Sequence, residues 1–93
     1  MNFTWDENKN NKNIEKHGVS FYTAQYAFQD KQRIILEDVK HSESESRFFC
    51  LGKIEGKVLT VRFTVRGNQI RIFGAGFWKK GEKRYEKENS IHE

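Results

Sequence analysis

From Leu59 to Val65 the chain alternates without interruption: Leu59, Val61, Phe63 and Val65 share one parity, Thr60, Arg62 and Thr64 the other. A period of two marks a β-strand with one face buried and one face polar. Such a strand must have paired neighbours and a layer over its apolar face, so it constrains the fold more than any other segment. Three neighbours are legible. Arg33–Val39 and Arg47–Leu51 are rich in β-formers, and Ile70–Ala75 follows the central strand. Glu55-Gly56-Lys57 and Arg66-Gly67-Asn68-Gln69 have the Gly and Asn content of hairpin turns, because Gly takes positive φ freely and Asn tolerates it. Short links imply antiparallel pairing.

Before residue 33 the pattern is different. Phe3-Thr4-Trp5 reads as a short strand, and Asp6 is placed to cap a helix whose first turn holds Glu7. Residues 7–17 predict a mostly exposed helix, with Asn at 8, 10, 11 and 13 and Ile14 almost the only apolar residue. Gly18 is positioned to end it in the left-handed conformation. Ser20 can then cap a second helix whose Phe21, Ala24 and Phe28 form one core-facing stripe. After Gly81, residues 82–88 are charged and helix-compatible. The expectation is an α+β fold: two N-terminal helices, a four-stranded antiparallel sheet and a C-terminal helix. At 93 residues this is one domain spanning 1–93 with a small core, which thirteen aromatic side chains can fill despite an apolar fraction of only 35%.

Several function classes fall away. No apolar run is long enough to span a membrane, and no leader profile opens the chain. Cys50 is the single cysteine and alternates with apolar neighbours like a core residue. The three histidines lie far apart, with His92 in a tail expected to fray. The chain is therefore expected to be cytoplasmic, with no cofactor, no metal and no membrane partner.

Charge is divided unevenly. Residues 1–45 carry six Lys and Arg against eight Asp and Glu, whereas residues 46–93 carry eleven against five. A basic half with interspersed aromatics suits a polyanion such as nucleic acid, and it equally serves solubility. Arg62 lies on the polar face of the best strand, Arg66 shares its parity, and Arg71 and Arg47 occupy the flanking strands. Together they could hold phosphate bidentately, or pair with acids such as Glu37 or Glu55 on an ordinary surface. Phe77-Trp78-Lys79-Lys80 interleaves rings and cations as single-stranded RNA binding requires, and Trp78 could as well pack beneath a helix. His17 ends the first helix, where the dipole favours a cation, and His41 opens a polar loop; either could serve as an acid or base.

Taken together, Trp5-Asp6, Lys9-Asn10, Asn13, Lys16-His17-Gly18-Val19-Ser20-Phe21 and Ala24 resemble the N-terminal signature of the BrnT family of bacterial toxins. A second block, His41-Ser42-Glu43 through Glu45 to Arg47-Phe48 and Gly52, is similar to that family as well. So is a third, Ile70-Arg71-Ile72 with Glu82 and Tyr85. The resemblance implies a RelE/ParE-like fold and a ribonuclease of a type II toxin–antitoxin system. It also implies a BrnA-type ribbon-helix-helix antitoxin, with operator DNA bound only through that antitoxin. One departure stands out: where the family reads Ser-Ala-Arg, this chain reads Gly74-Ala75-Gly76. Gly76 in place of arginine implies a weakened nuclease, or a non-catalytic homologue that acts as an antitoxin-binding subunit.

RNA cleavage without metal needs a base for the 2′-OH, positive charge for the phosphorane and an acid for the 5′-oxygen. Arg47 and Arg71 are the candidates for the phosphorane, with Arg62, Lys79, Lys80 and Trp78 as flanking RNA contacts. His17, His41, Glu82 and Tyr85 are the candidates for proton transfer. Glu82 and Tyr85 share a helix face, which equally suits helix packing with Tyr85 buried.

Overall fold

The computed structural model describes residues 2–90, so Met1, the last three positions and the tail around His92 lie outside the described residues. In chain order the elements are β1 (Asn2–Trp5), α1 (Glu7–His17), α2 (Phe21–Ala24), β2 (Ile34–Glu37), β3 (Phe48–Ile54), β4 (Lys57–Arg66), β5 (Gln69–Gly76) and α3 (Lys79–Glu88). The fold is α+β, with three helices and one five-stranded sheet in the order β1-β5-β4-β3-β2.

The sheet and the second helix differ from the sequence expectation. The sheet has five strands instead of four and is not wholly antiparallel, because Phe3-Thr4-Trp5 joins the edge as β1 and pairs parallel with β5. Its register sets Phe3 opposite Ile70 and Trp5 opposite Ile72. From there Phe3 meets the Phe28 ring edge-on at 5.1 Å and Trp5 meets Phe21 at 6.2 Å. Those contacts hold a four-residue strand that pairing alone would hold weakly. The second helix is also shorter than expected. After one α turn, Gln25–Gln29 winds as a 3₁₀ helix. Tighter winding brings i and i+3 into line, so Ala24 and Ala27 both press on the sheet. The Ala27 backbone comes so close to β3 that a Cβ on Gly52 would lie 2.1 Å from its carbonyl oxygen.

Helix α1 begins and ends as its sequence dictates. The Asp6 carboxylate accepts the Lys9 amide, and Gly18 takes φ +70° while donating its N–H to the Ile14 carbonyl. Asn13, expected on an exposed helix, is instead 8% exposed. It accepts the Ala75 N–H at 3.1 Å and donates to the Ala75 and Val19 carbonyls, both at 2.9 Å. Its amide thus continues the ladder along β5 beyond the point where β1 ends.

The alternation along β4 separates two apolar layers. Leu59, Val61 and Phe63, with Cys50, Ile72 and Ala75, form the larger core beneath Phe21, Ala24 and Ala27. On the opposite face Val58 and Leu51 pack with Tyr85 of α3. Helix α3 begins at Lys79, ahead of the expected 82, and covers only one end of this second face. The other end holds the polar residues of β4.

Candidate active site

Arg62, Thr64 and Arg66 alternate on β4, and Arg71 stands opposite Thr64 in the β4–β5 register, so the strand arginines share the face that α3 leaves partly open. A bulge lies between Arg62 and Phe63 against β5. Ile72 pairs with Phe63 and Gly74 with Arg62, which leaves Phe73 unpaired and its ring free to turn towards the arginines.

Three cations surround that ring. The Arg47 guanidinium lies 3.9 Å from the ring centroid, the Lys9 ammonium 5.3 Å and the Arg66 guanidinium 5.9 Å. Arg47 precedes β3, two strands away from Phe73, so its side chain crosses over β4 to arrive there. The loop before β3 makes this possible. Thr64 Oγ1 donates to the Ser46 carbonyl, and the Arg66 guanidinium makes a two-pronged contact with Glu45 at 2.9 and 3.2 Å. Glu45 also lies 3.8 Å from Arg47. The Arg66 hydrogen bonds hold the Glu45 carboxyl below its ordinary range and raise the guanidinium, so both stay charged. Arg62 reaches over Gly74, where a Cβ would sit 3.5 Å from its Nε and Cζ atoms. Among the described residues neither Arg62 nor Arg71 forms an ion pair. Arg47 Nε is buried without any hydrogen-bond partner.

The loop also fixes His41. Its Nδ1 lies 2.8 Å from the Asp38 carboxylate, while its neighbour Ser42 accepts the Arg47 N–H at 2.8 Å and donates to the Asp38 carbonyl at 2.7 Å. The imidazole therefore has a fixed orienting partner, an exposed outer nitrogen, and a backbone tied to that of Arg47. His17 lies elsewhere. On α1, Lys9, Asn13 and His17 recur every four residues, one stripe along the β5 edge. Lys9 meets Phe73, Asn13 meets Ala75, and His17 meets the Trp78 ring edge-on at 5.3 Å.

The other candidates separate from this cluster. Tyr85 is 1% exposed, and its hydroxyl donates to Asp30 at 2.6 Å beneath α3. Burial and that carboxylate push its pKa up to about 12. Tyr85 is thus a packing residue in this geometry. Glu82 sits in the first turn of α3, and Lys79 and Lys80 are exposed at the same helix end. Trp78 packs against Gly76, where a Cβ would fall 2.5 Å from the indole. Gly76 is the room that Trp78 occupies. Lys9 enters the sequence analysis only within the family resemblance, and Phe73 and Asp38 are not among its candidate site residues. The bulge that recruits Phe73 leaves no local pattern, whereas the i, i+3 spacing of Asp38 and His41 and the i, i+4, i+8 spacing of Lys9, Asn13 and His17 are visible in the sequence.

No helix among the described residues is long and apolar enough to cross a membrane. A family model described as the ribonuclease toxin BrnT of type II toxin–antitoxin systems matches residues 5–82. That span runs from the end of β1 into the first turn of α3 and includes every arginine and histidine of the site. No curated protein sequence matches the chain.

Proposed function

This chain belongs to the BrnT family of ribonuclease toxins of type II toxin–antitoxin systems, and from that premise we propose that the arginine-lined sheet face is where it cleaves RNA. The observation that carries the proposal is the placement on one face of Arg62 and Arg71, neither of which forms an ion pair among the described residues, with Arg47 and Arg66 beside them; the Asp6 carboxylate feels the Arg71 charge without pairing with it. Guanidinium groups match phosphate oxygens bidentately, and charge preorganised where a phosphorane develops lowers the barrier. The unpartnered Arg47 Nε is a donor awaiting an acceptor, a state that costs about 1–3 kcal/mol when nothing supplies one.

In the proposed reaction the RNA 2′-oxygen attacks the adjacent phosphorus and the bond to the 5′-oxygen breaks. A 2′,3′-cyclic phosphate and a free 5′-OH result. His41, oriented by Asp38, takes the 2′ proton, and water supplies the proton to the leaving 5′-oxygen, since His17 stands apart on Trp78 at the far end of the α1 stripe. No metal ion is assigned a step, since the guanidinium groups supply the positive charge. The proposal retains the RelE/ParE-like architecture, a cytoplasmic site of action, and a BrnA-type ribbon-helix-helix antitoxin through which alone the complex represses its operator. The toxin–antitoxin family itself implies an antitoxin partner.

A second reading draws on Gly76, which stands where the family resemblance expects arginine and has no room for a side chain beside Trp78. In that reading the chain binds its antitoxin without cutting RNA. Incubating purified protein with bulk RNA separates the two. Fragments ending in cyclic or 3′-phosphate, formed equally in EDTA, support cleavage by this site. Intact RNA supports the binding subunit, and fragments with 5′-phosphate ends overturn the mechanism.

A further inference from the structure

We propose that the groove between α3 and the sheet seats one unpaired nucleotide of the RNA, its base against Trp78 and its phosphate at the start of α3; the proposal rests on the ribonuclease reading above. The groove has a volume of about 560 Å³, enough for a nucleotide. Trp78 and Phe49 supply ring surface, Leu36 and Leu51 an apolar floor, and Lys80 and Arg84 line it on the α3 side, with the Glu37 carboxylate across from them on β2, so the phosphate is placed at the α3 end. It opens beside the arginine face. Thr60 lines it, and Arg62 lies two residues along the same strand, roughly 7 Å away.

Two features point to a polar, anionic ligand: a buried hydroxyl without a partner, and an uncapped helix start whose first turn carries two lysines. Thr60 is 5% exposed, yet its Oγ1 has no hydrogen-bond partner among the described residues. It sits directly beneath Gly81, where a Cβ would lie 2.0 Å from that oxygen. Helix α3 has Trp78 at its N-cap with no side-chain hydrogen bond, and its first internal bond is donated by the Glu82 amide. The amides of Lys79, Lys80 and Gly81 therefore have no side-chain acceptor. Finally, Lys79 and Lys80 stand at the positive end of the helix dipole, where cations are disfavoured, and a bound phosphate would reverse that penalty. Arg84 is held by Glu88 at 2.9 Å, so Lys80 is the rim cation left for the phosphate. RNA recognition of this kind, with unstacked bases on aromatic rings, is sequence-tolerant and adds to backbone charge neutralisation.

The test uses the indole N–H resonances of the full chain, of which Trp5 and Trp78 provide two. Adenosine, guanosine, cytidine and uridine 5′-monophosphates are each titrated, with ribose 5-phosphate as the base-free control. Saturable shifts of Trp78, with Trp5 and the ribose phosphate control silent, are expected. In parallel, binding of a labelled 2′-O-methyl oligonucleotide, which cannot be cleaved, is measured for Trp78→Ala, Trp78→Phe and Thr60→Val. Trp78→Ala should weaken binding roughly five- to a hundredfold while Trp78→Phe retains most of it. No Trp78 shift with any of the four monophosphates overturns the groove, whatever the cleavage assay gives. Equal shifts with ribose 5-phosphate overturn base recognition and leave an anion site only. RNA left intact by a protein whose Trp78 still responds overturns the ribonuclease reading and not the groove.

Discussion

Replacing Asn13 by alanine is the sharpest test of how the site is held. Asn13 makes three hydrogen bonds from an almost fully buried position, two with the Ala75 backbone and one with the Val19 carbonyl. Alanine leaves those three backbone groups unpaired at the end of the β1 edge. At about 1 kcal/mol net for each, and more where water cannot enter, the loss is about 2–4 kcal/mol. For a chain of this length that corresponds to a fall of roughly 10–25 °C in melting temperature, read by far-ultraviolet circular dichroism. Asn13→Asp separates hydrogen bonding from shape. Its carboxylate could still accept the Ala75 N–H, but would face two carbonyl oxygens with no donor. It should therefore cost at least as much as alanine at pH 7. Repulsion raises the folded pKa of that carboxyl above its unfolded value, so the ionisation penalty shrinks as pH falls through the raised value and is gone below the unfolded one, where the single O–H still leaves one of the two carbonyls unpaired. Because α1 carries Lys9 and His17 to Phe73 and Trp78, RNA affinity should fall with stability. An Asn13→Ala protein within 0.5 kcal/mol of the parent would refute the edge-ladder account.

Other outcomes follow from the same geometry. Tyr85→Phe should cost about 1–2 kcal/mol in urea unfolding, since it leaves Asp30 with only the Lys53 and Gln32 amides; no change would mean the hydroxyl is idle. Burial alone would raise the Asp30 carboxyl, but those three donors hold it below its ordinary value, so its contribution is full above that range and lost as pH falls through the folded value. Tyr85 works in the opposite direction, its stabilisation complete below pH 10 and lost as pH rises towards about 12. Gly76→Ala should destabilise by about 1–3 kcal/mol through collision with the indole, and by less in a Trp78→Ala background; additive costs would place the clash elsewhere. Burial pushes the Cys50 thiol up to about 12, so a thiol reagent should label it at the rate of unfolding, and rapid labelling of native protein would contradict the packing around it.

The parts of the fold visible in the sequence are those governed by local periodicity. The alternation from Leu59 to Val65, the Gly18 cap and the Glu55-Gly56 turn each depend on residues adjacent in the chain, and each is found. The parallel edge strand was not legible as part of the sheet, because Phe3-Thr4-Trp5 finds its partner more than sixty residues later. Asn13 looked like another exposed polar helix residue for the same reason. In the site, the common face of Arg62 and Arg66 follows from parity, whereas Arg71 joins it only through the β4–β5 register that sets it opposite Thr64. The crossing of Arg47 to Phe73 does not follow from parity, since it depends on a bulge and on a loop held down by Glu45 and Ser46. The spacing of Tyr85 suits packing and proton transfer alike, and only the hydrogen bond from its hydroxyl to Asp30 separates them.

The central claim, that unpaired guanidinium groups on the open sheet face stabilise a phosphate in transit, is tested most directly by single-turnover cleavage of end-labelled RNA with Arg62→Ala and Arg71→Ala. Circular dichroism spectra and melting curves serve as the folding control. The account predicts a rate loss of about 10²–10³-fold for at least one of them, with fold and stability unchanged. Rates within twofold of the parent for both variants would contradict it.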